Sequence, residues 1–261
     1  MNRRTFSKNT LMASLATAAG QWPWSEGKSH ILTLSFDDGF RDSFLKIADI
    51  YEGHGLKACL NVIASGHLRR FKQVDDWILP DLMGDFEDWN KLIRRGHEVM
   101  PHSWKHLNLA RQPLAKSKRL IGKCLDYFEE YLEGYDPSYA VFNFPFNSST
   151  PELEAYTLSR VKGIRTFAKG AINPIPKDGK PVLISCSSNG PNNIDAWVKK
   201  QVDDFLANEA GGWLVLNLHG LDTEGWGPIS TAFLKQELKR LTSIDYLDIL
   251  PAGEVLKRSQ S

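Results

Sequence analysis

The chain has 261 residues, 42% hydrophobic and 24% charged, which fits a globular protein with one large core or two small ones. Its net charge of +1 lacks the basic excess that a nucleic-acid binder normally carries. Eight Trp and seven Tyr supply flat side chains for a core, and such rings also stack on the apolar faces of sugars.

The first residues, "MNRRTFSKNTLMASLATAAG", do not read as part of the fold. Arg3 and Arg4 precede a mildly apolar run, Leu11 to Ala19, too short to span a bilayer as a helix. Ala16 to Ala18 offer the small residues of a cleavage site, and "NRRTFSK" resembles a twin-arginine export signal. The expectation is a signal peptide over 1–19, a linker over 20–29 and one domain over 30–258, with no membrane span in the mature chain. Removing 1–19 deletes Arg3, Arg4 and Lys8 and no acids, so the charge moves from +1 by three to about −2.

From there, strand-like and helix-like segments alternate. "HILTLSF" (30–36) reads as a strand. Residues 41–55 follow with a helical face of Phe44, Leu45, Ile47, Ile50 and Tyr51, closed by Gly55. "KACLNVIA" (57–64) is a strand, 65–84 a long loop carrying Asp75, Asp76 and Trp77, and 85–96 a helix ended by Gly96. "HEVMPHS" is a short strand with its exit loop, 113–134 a long amphipathic helix, and 139–145 a strand. Residues 150–163 read as a helix with Pro151 in its first turn. "GIRTFAKG" and "PVLISCSS" are strands, 194–211 a helix, 213–219 a strand, 229–243 a helix and 246–251 the last strand. Repeated pairs of this kind predict an α/β fold, an irregular (β/α)7-type barrel in a single domain. Cys59, Cys124 and Cys186 are spaced too widely for a zinc knuckle and read as small buried apolar residues, with one disulfide possible in an exported protein.

In parallel barrels, functional groups sit at the C-terminal strand ends. Asp37 and Asp38, His102 and His106, Asn143 to Phe146, and His219 all fall at such ends. Two adjacent carboxylates repel each other, and a divalent cation offsets that repulsion. "DDG" is also a common turn sequence. In "HSWKH" the two histidines are four apart, so one helical turn would align them. With one carboxylate they make a three-ligand set with an open position. The metalloprotease pattern is absent, since no Glu follows the first His.

"SFDDGF", "HSWKH", "FNFPF" and "LNLHG", in this order, resemble the motifs of the polysaccharide deacetylase family, the NodB-homology domain of carbohydrate esterase family four. The resemblance spans about 30–258. It implies a hydrolase that removes N- or O-acetyl groups from a glycan. Asp38, His102 and His106 would hold a divalent metal, zinc or else cobalt or manganese. Asp37 would be the general base and His219 the general acid. Asn143, Pro145, Phe146 and Trp226 would contact substrate, with the Phe146 N–H facing the oxyanion. The chain departs from the family where an arginine often stands: Asn143 occupies that place, and bonded to Asp37 it would leave the latter a weaker acid than an arginine would. The aspartate-rich fourth motif is poorly matched, leaving Asp195 as the candidate that orients His219, although an acid there also suits a helix start. Two other readings stay open. One is a hydrolase of a small non-peptide C–N bond, such as a formamido sugar or a cyclic amide. The other is a catalytically silent glycan-binding module. The acetylated glycan would be the partner, and the protein would act outside the cytoplasm, in the periplasm or secreted.

Overall fold

Apolar strands without polar alternation need cover on both faces, which favours a parallel sheet flanked by helices. The computed structural model describes residues 28–72, 76–168 and 172–260. The expected signal peptide, nearly all of the linker and Asp75 lie outside these residues. β1 (His30–Phe36) is buried along its whole length and is the hub of the fold. On one side it pairs in parallel with all of β7 (Gly212–Leu218), from His30 opposite Gly212 to Phe36 opposite Leu218. On its other side it is shared. Its upper end pairs with β2 (Cys59–Val62), and its lower end with β8 (Leu247–Ile249).

β2 continues to β3 (Glu98–Pro101), while β4 (Val141–Asn143), β5 (Gly163–Phe167) and β6 (Val182–Cys186) form a second parallel ladder. The two ladders meet at both edges. The Asn143 amide donates to the Pro101 carbonyl at 3.4 Å between β4 and β3, and the Asn217 N–H donates to the Ser187 carbonyl at 2.8 Å between β7 and β6. Strands β1 to β7 thus ring an interior in chain order, an irregular barrel as the alternation predicts.

Helices α1 (Arg41–Glu52), α2 (Phe86–Arg94), α3 (Leu114–Tyr131), α4 (Pro151–Leu158), α5 (Asp195–Leu206) and α6 (Thr231–Leu241) follow strands and cover the outside. α1 buries Phe44, Ile47, Ile50 and Tyr51, most of the face read from its periodicity. α2 and α6 start on side-chain caps: Asp85 accepts from the Asp88 N–H, and Ser230 from the Phe233 N–H. No helix among the described residues joins β5 to β6. The three cysteines are free and buried, and none forms a disulfide.

The barrel interior holds Ile31, Cys59, Val141, Ile184, Trp213 and Val215, and a last helix, α7 (Ala252–Arg258), plugs its bottom with Val255 and Leu256. Both plug residues are fully buried, and each such side chain contributes about 1.5–3 kcal/mol. The periodicity reading missed α7, which has only seven residues, too few for a helical pattern to repeat. With the bottom filled, the polar strand ends are left at the top.

Candidate functional site

Asp37 and Asp38 leave β1 where the backbone turns sharply, with φ of 82° at Asp38 and 93° at Gly39. Gly39 takes that conformation without a steric penalty. A residue with a side chain, such as Asp38, does so only where its surroundings hold it. Ser103, His106, Phe146 and Asn147 also have positive φ, at 65°, 53°, 59° and 47°. Strained backbone is therefore concentrated around this mouth.

The expected helical turn between His102 and His106 does not form. Residues 102–108 are an irregular loop after β3, and the positive φ values at Ser103 and His106 exclude a right-handed helix. Side-chain bonds take the helix's place. The Ser103 hydroxyl accepts the His106 N–H at 3.0 Å, and the Ser65 hydroxyl donates to the Trp104 carbonyl at 2.5 Å. Trp104 itself is buried against Tyr127, which pins the loop from outside.

This loop brings both imidazoles to Asp38. The Asp38 Oδ1 lies 3.5 Å from His102 Nε2 and 3.4 Å from His106 Nε2, and one ligand atom from each residue lies within 4.8 Å of the others. All three side chains are buried. His102 Nδ1 donates to the Asn143 carbonyl at 2.9 Å, which leaves Nε2 with its lone pair facing Asp38. Burial pushes His102 down, but Asp37 and Asp38 outweigh it and pull its pKa above the ordinary range. Burial pushes Asp38 up, and His106 and His102 reverse that. A buried carboxylate facing two imidazole nitrogens is a set that suits a divalent cation. The donors thus fit the expected metal.

Asp37 has different company. Asn61 donates to its Oδ1 at 2.8 Å, and Asn217 to its Oδ2 at 2.8 Å. Arg165, buried on β5, grips both oxygens, with Nη1 at 2.9 Å from Oδ1 and Nη2 against Oδ2. Burial pushes the Asp37 carboxyl up, but Arg165, His102 and His219 together hold it well below the usual range. The expectation that Asn143 bonds Asp37 is corrected here. Asn143 donates to Asn61 Oδ1 at 2.8 Å and to the Val141 carbonyl at 3.1 Å, so it reaches Asp37 only through Asn61. Nor is Asp37 a weaker acid for lack of an arginine, because Arg165 supplies one from the neighbouring strand.

Arg165, Asn61 and Asn217 escaped the sequence reading. Each was visible as the one charged or amide side chain in an otherwise largely apolar strand, in "GIRTF", "CLNVI" and "LVLNL". A buried polar group of that kind needs a partner.

The Asp195 assignment is also corrected. Its carboxylate accepts the Ser230 N–H at 2.8 Å and the Ser230 hydroxyl at 2.7 Å, tying the start of α5 to the start of α6. No bond joins it to His219, whose buried Nδ1 has no hydrogen-bond partner among the described residues. Instead the His219 ring meets Trp226 edge to face, with centroids 5.6 Å apart. Trp226 is in turn backed by Gly190, where an added Cβ would fall 2.5 Å from the indole.

A cleft of about 430 Å³ opens over these groups, lined by Asp37, Asp38, His102, His106 and His219. Phe146, Trp77 and Trp226 form its walls. Phe146 is 57% exposed and packs on His106 with centroids 4.9 Å apart, and Trp77 is 41% exposed. Asn143 and Pro145 lie buried beneath the cleft, where Pro145 begins the short 3₁₀ turn 145–147 that presents Phe146.

A family model described as polysaccharide deacetylase matches residues 25–160. No curated protein matches the chain. Among solved structures, a putative polysaccharide deacetylase from Mycobacterium smegmatis aligns with TM-score 0.63 and 13% identity, covering 91% of this chain and 92% of its own. A peptidoglycan deacetylase from Bacillus subtilis aligns with TM-score 0.56 and 17% identity over 90% and 94%. A carbohydrate esterase family four domain of a xylanase, from the hindgut metagenome of Trinervitermes trinervoides, gives 0.54 and 13% over 88% and 91%. At these identities the structures speak for the fold, while the family model covers 136 of 261 residues and both motifs that bear the proposed metal ligands. This chain belongs to the polysaccharide deacetylase family.

Proposed function

We propose that the protein is a divalent-metal-dependent deacetylase of an acetylated glycan, with Asp38, His102 and His106 as metal ligands, Asp37 as general base and His219 as general acid. The observation that carries this reading is the division of labour between adjacent carboxylates. Asp38 faces two imidazoles, while Asp37 beside it is held as a carboxylate by Arg165. Zinc is the ion that best suits one carboxylate and two imidazoles with an open position, and cobalt or manganese would serve in its place.

When bound, the ion would acidify a water and polarise the acetyl carbonyl. Asp37 takes a proton from the attacking water as the oxygen–carbon bond forms. Arg165, Asn61 and Asn217 hold its two oxygens in place for that transfer. The Phe146 N–H faces the developing oxyanion. As the acetyl carbon parts from the leaving nitrogen or oxygen, His219 delivers a proton to that atom. Acetate and the free amine or alcohol are the products. Phe146, Trp77 and Trp226 offer rings for stacking on the sugars. The twin-arginine-like start supports export of the folded protein to the periplasm or beyond, where acetylated glycans lie.

An acetate-release screen tests this reading, using chitin-type oligomers, peptidoglycan, acetylated xylan and an acetylated exopolysaccharide, each with and without chelator. Release from at least one glycan, lost with chelator and restored by zinc, cobalt or manganese, is expected. Metal-loaded protein that spares every glycan but hydrolyses a formamido sugar or cyclic amide would replace this reading with the small-amide one.

A further inference from the structure

Two asparagine relays run from Asp37. One passes through Asn61 to Asn143 and ends in the barrel wall. The other passes through Asn217 to Asn147 and ends in the cleft. Its geometry fixes which end of each amide points where. Asp37, gripped by Arg165, is a carboxylate and only accepts, so Asn217 must turn its Nδ2 toward Asp37 Oδ2, at 2.8 Å. Asn217 therefore presents Oδ1 to its other neighbour. Asn147 must answer with Nδ2, which donates to that Oδ1 at 2.8 Å. Reversing either amide would set oxygen against oxygen. Asn147 Oδ1 is thus an acceptor by elimination.

That oxygen is buried and has no hydrogen-bond partner among the described residues, although Asn147 lines the cleft and is only 6% exposed. The residue is not loosely placed. Its N–H donates to the Phe144 carbonyl at 3.0 Å, its own carbonyl accepts from the Thr166 hydroxyl at 2.9 Å, and its φ is 47°. A fixed acceptor without a partner, on a residue that lines the cleft, asks for a donor on the substrate.

We infer that Asn147 Oδ1 accepts a hydrogen bond from the N–H of the substrate's acetamido group, so that the site selects N-acetyl over O-acetyl sugars. This inference rests on the deacetylase reading and names its substrate class. An amide bears a hydrogen on the atom to be cleaved from the acetyl group. The corresponding ester oxygen bears none, and it would place lone pairs against a buried acceptor. Sites built to pair with a substrate N–H or O–H discriminate strongly against analogues that lack it.

The test uses two matched probes, a β-1,4-glucan tetramer carrying 2-acetamido groups and its 2-O-acetyl counterpart. Acetate release and equilibrium binding are measured for the zinc-loaded wild type and for Asn147→Gly, since glycine keeps the positive φ without strain. The wild type is expected to bind and turn over the amide in preference to the ester. Asn147→Gly should cut the amide-to-ester ratio of kcat/KM by about tenfold or more. Equal loss on both probes, or a wild type that prefers the ester, would overturn the inference while leaving the hydrolase reading intact. A wild type that releases no acetate but binds the amide preferentially, with that preference lost in Asn147→Gly, would sink the hydrolase reading and uphold Asn147. A wild type that neither binds nor turns over either probe would sink both. If Asn147→Gly failed to fold, the wild-type preference between the probes would still decide.

Discussion

Asn143 on β4 and Arg165 on β5 are register partners, directly side by side in the second ladder, and the charge that clamps Asp37 comes from the second of them. In the family an arginine often stands at the position of Asn143. Here the clamp is supplied one strand over and reaches the same carboxylate. A bidentate guanidinium thus sits on the proposed base, carried by β5.

Arg165 is therefore expected to matter as much as a motif residue. Arg165→Met leaves a buried carboxylate without its counter-charge, which costs about 3–5 kcal/mol of stability. Acetate release should fall about a hundredfold while the metal remains, since the three proposed ligands are untouched. Arg165→Lys should recover only part of the loss, because an ammonium does not span both carboxylate oxygens. Urea unfolding together with metal analysis checks this, and an Arg165→Met enzyme of wild-type stability and rate would contradict it.

His102→Ala should strip the metal, because it removes one of the three proposed protein donors. The purified variant is expected to hold less than about a tenth of an ion per chain after dialysis. Full occupancy would rule out this ligand set.

Gly190 should prove intolerant of side chains. The Cβ of Gly190→Ala would fall 2.5 Å from Trp226, so the indole or its loop must shift and its contact with His219 changes. The expected result is a loss of about 1–3 kcal/mol in stability. A roughly tenfold drop in kcat, with KM changed less, should accompany it if Trp226 is what positions His219. An unchanged kcat would show that His219 is held by something else.

Far from the cleft, Glu98 predicts a pH effect on stability. Its half-buried carboxyl sits at the bottom of the barrel, where Cys59 and the Glu254 N–H donate to it. Burial pushes its pKa up to about 7 from the usual 4.5, despite the N–H groups of Gly253 and Glu254 that pull the other way. Between those values the unfolded chain has lost the proton and the folded one keeps it. The unfolded state then binds fewer protons, so stability falls as pH rises through that window and levels off above it. The effect is at most about 3 kcal/mol. Glu98→Gln has no proton to lose, so its stability relative to wild type should rise by about 2–3 kcal/mol between pH 4.5 and 8. A constant difference across that range would show that Glu98 titrates normally.

Much of the fold was legible because local signals agreed. β1 falls on the residues read as a strand, and α1 buries most of its apolar stripe. The proposed ligands were legible because they sit at strand ends within short motifs. What stayed hidden depends on contacts between distant segments. Arg165 lies 128 positions from Asp37, and Asn217 lies 180 away, so only the register of the barrel brings them together. The His102 to His106 spacing suggested a helix because four residues make a turn, whereas Ser103 and His106 adopt positive φ and reach the same convergence by a loop. Asp195 looked like an orienting acid by its place in the chain, but Ser230 lies closer and takes both its oxygens.

In the proposed mechanism neighbouring aspartates hold separate posts, Asp38 on the metal and Asp37 on the water. The most direct measurement is Asp37→Ala, assayed for bound metal and for acetate release on the best substrate of the screen. The account predicts about one ion per chain and a rate reduced by at least a hundredfold, the usual scale for loss of a general base. Retention of most of the activity, or loss of the metal along with it, would contradict that division.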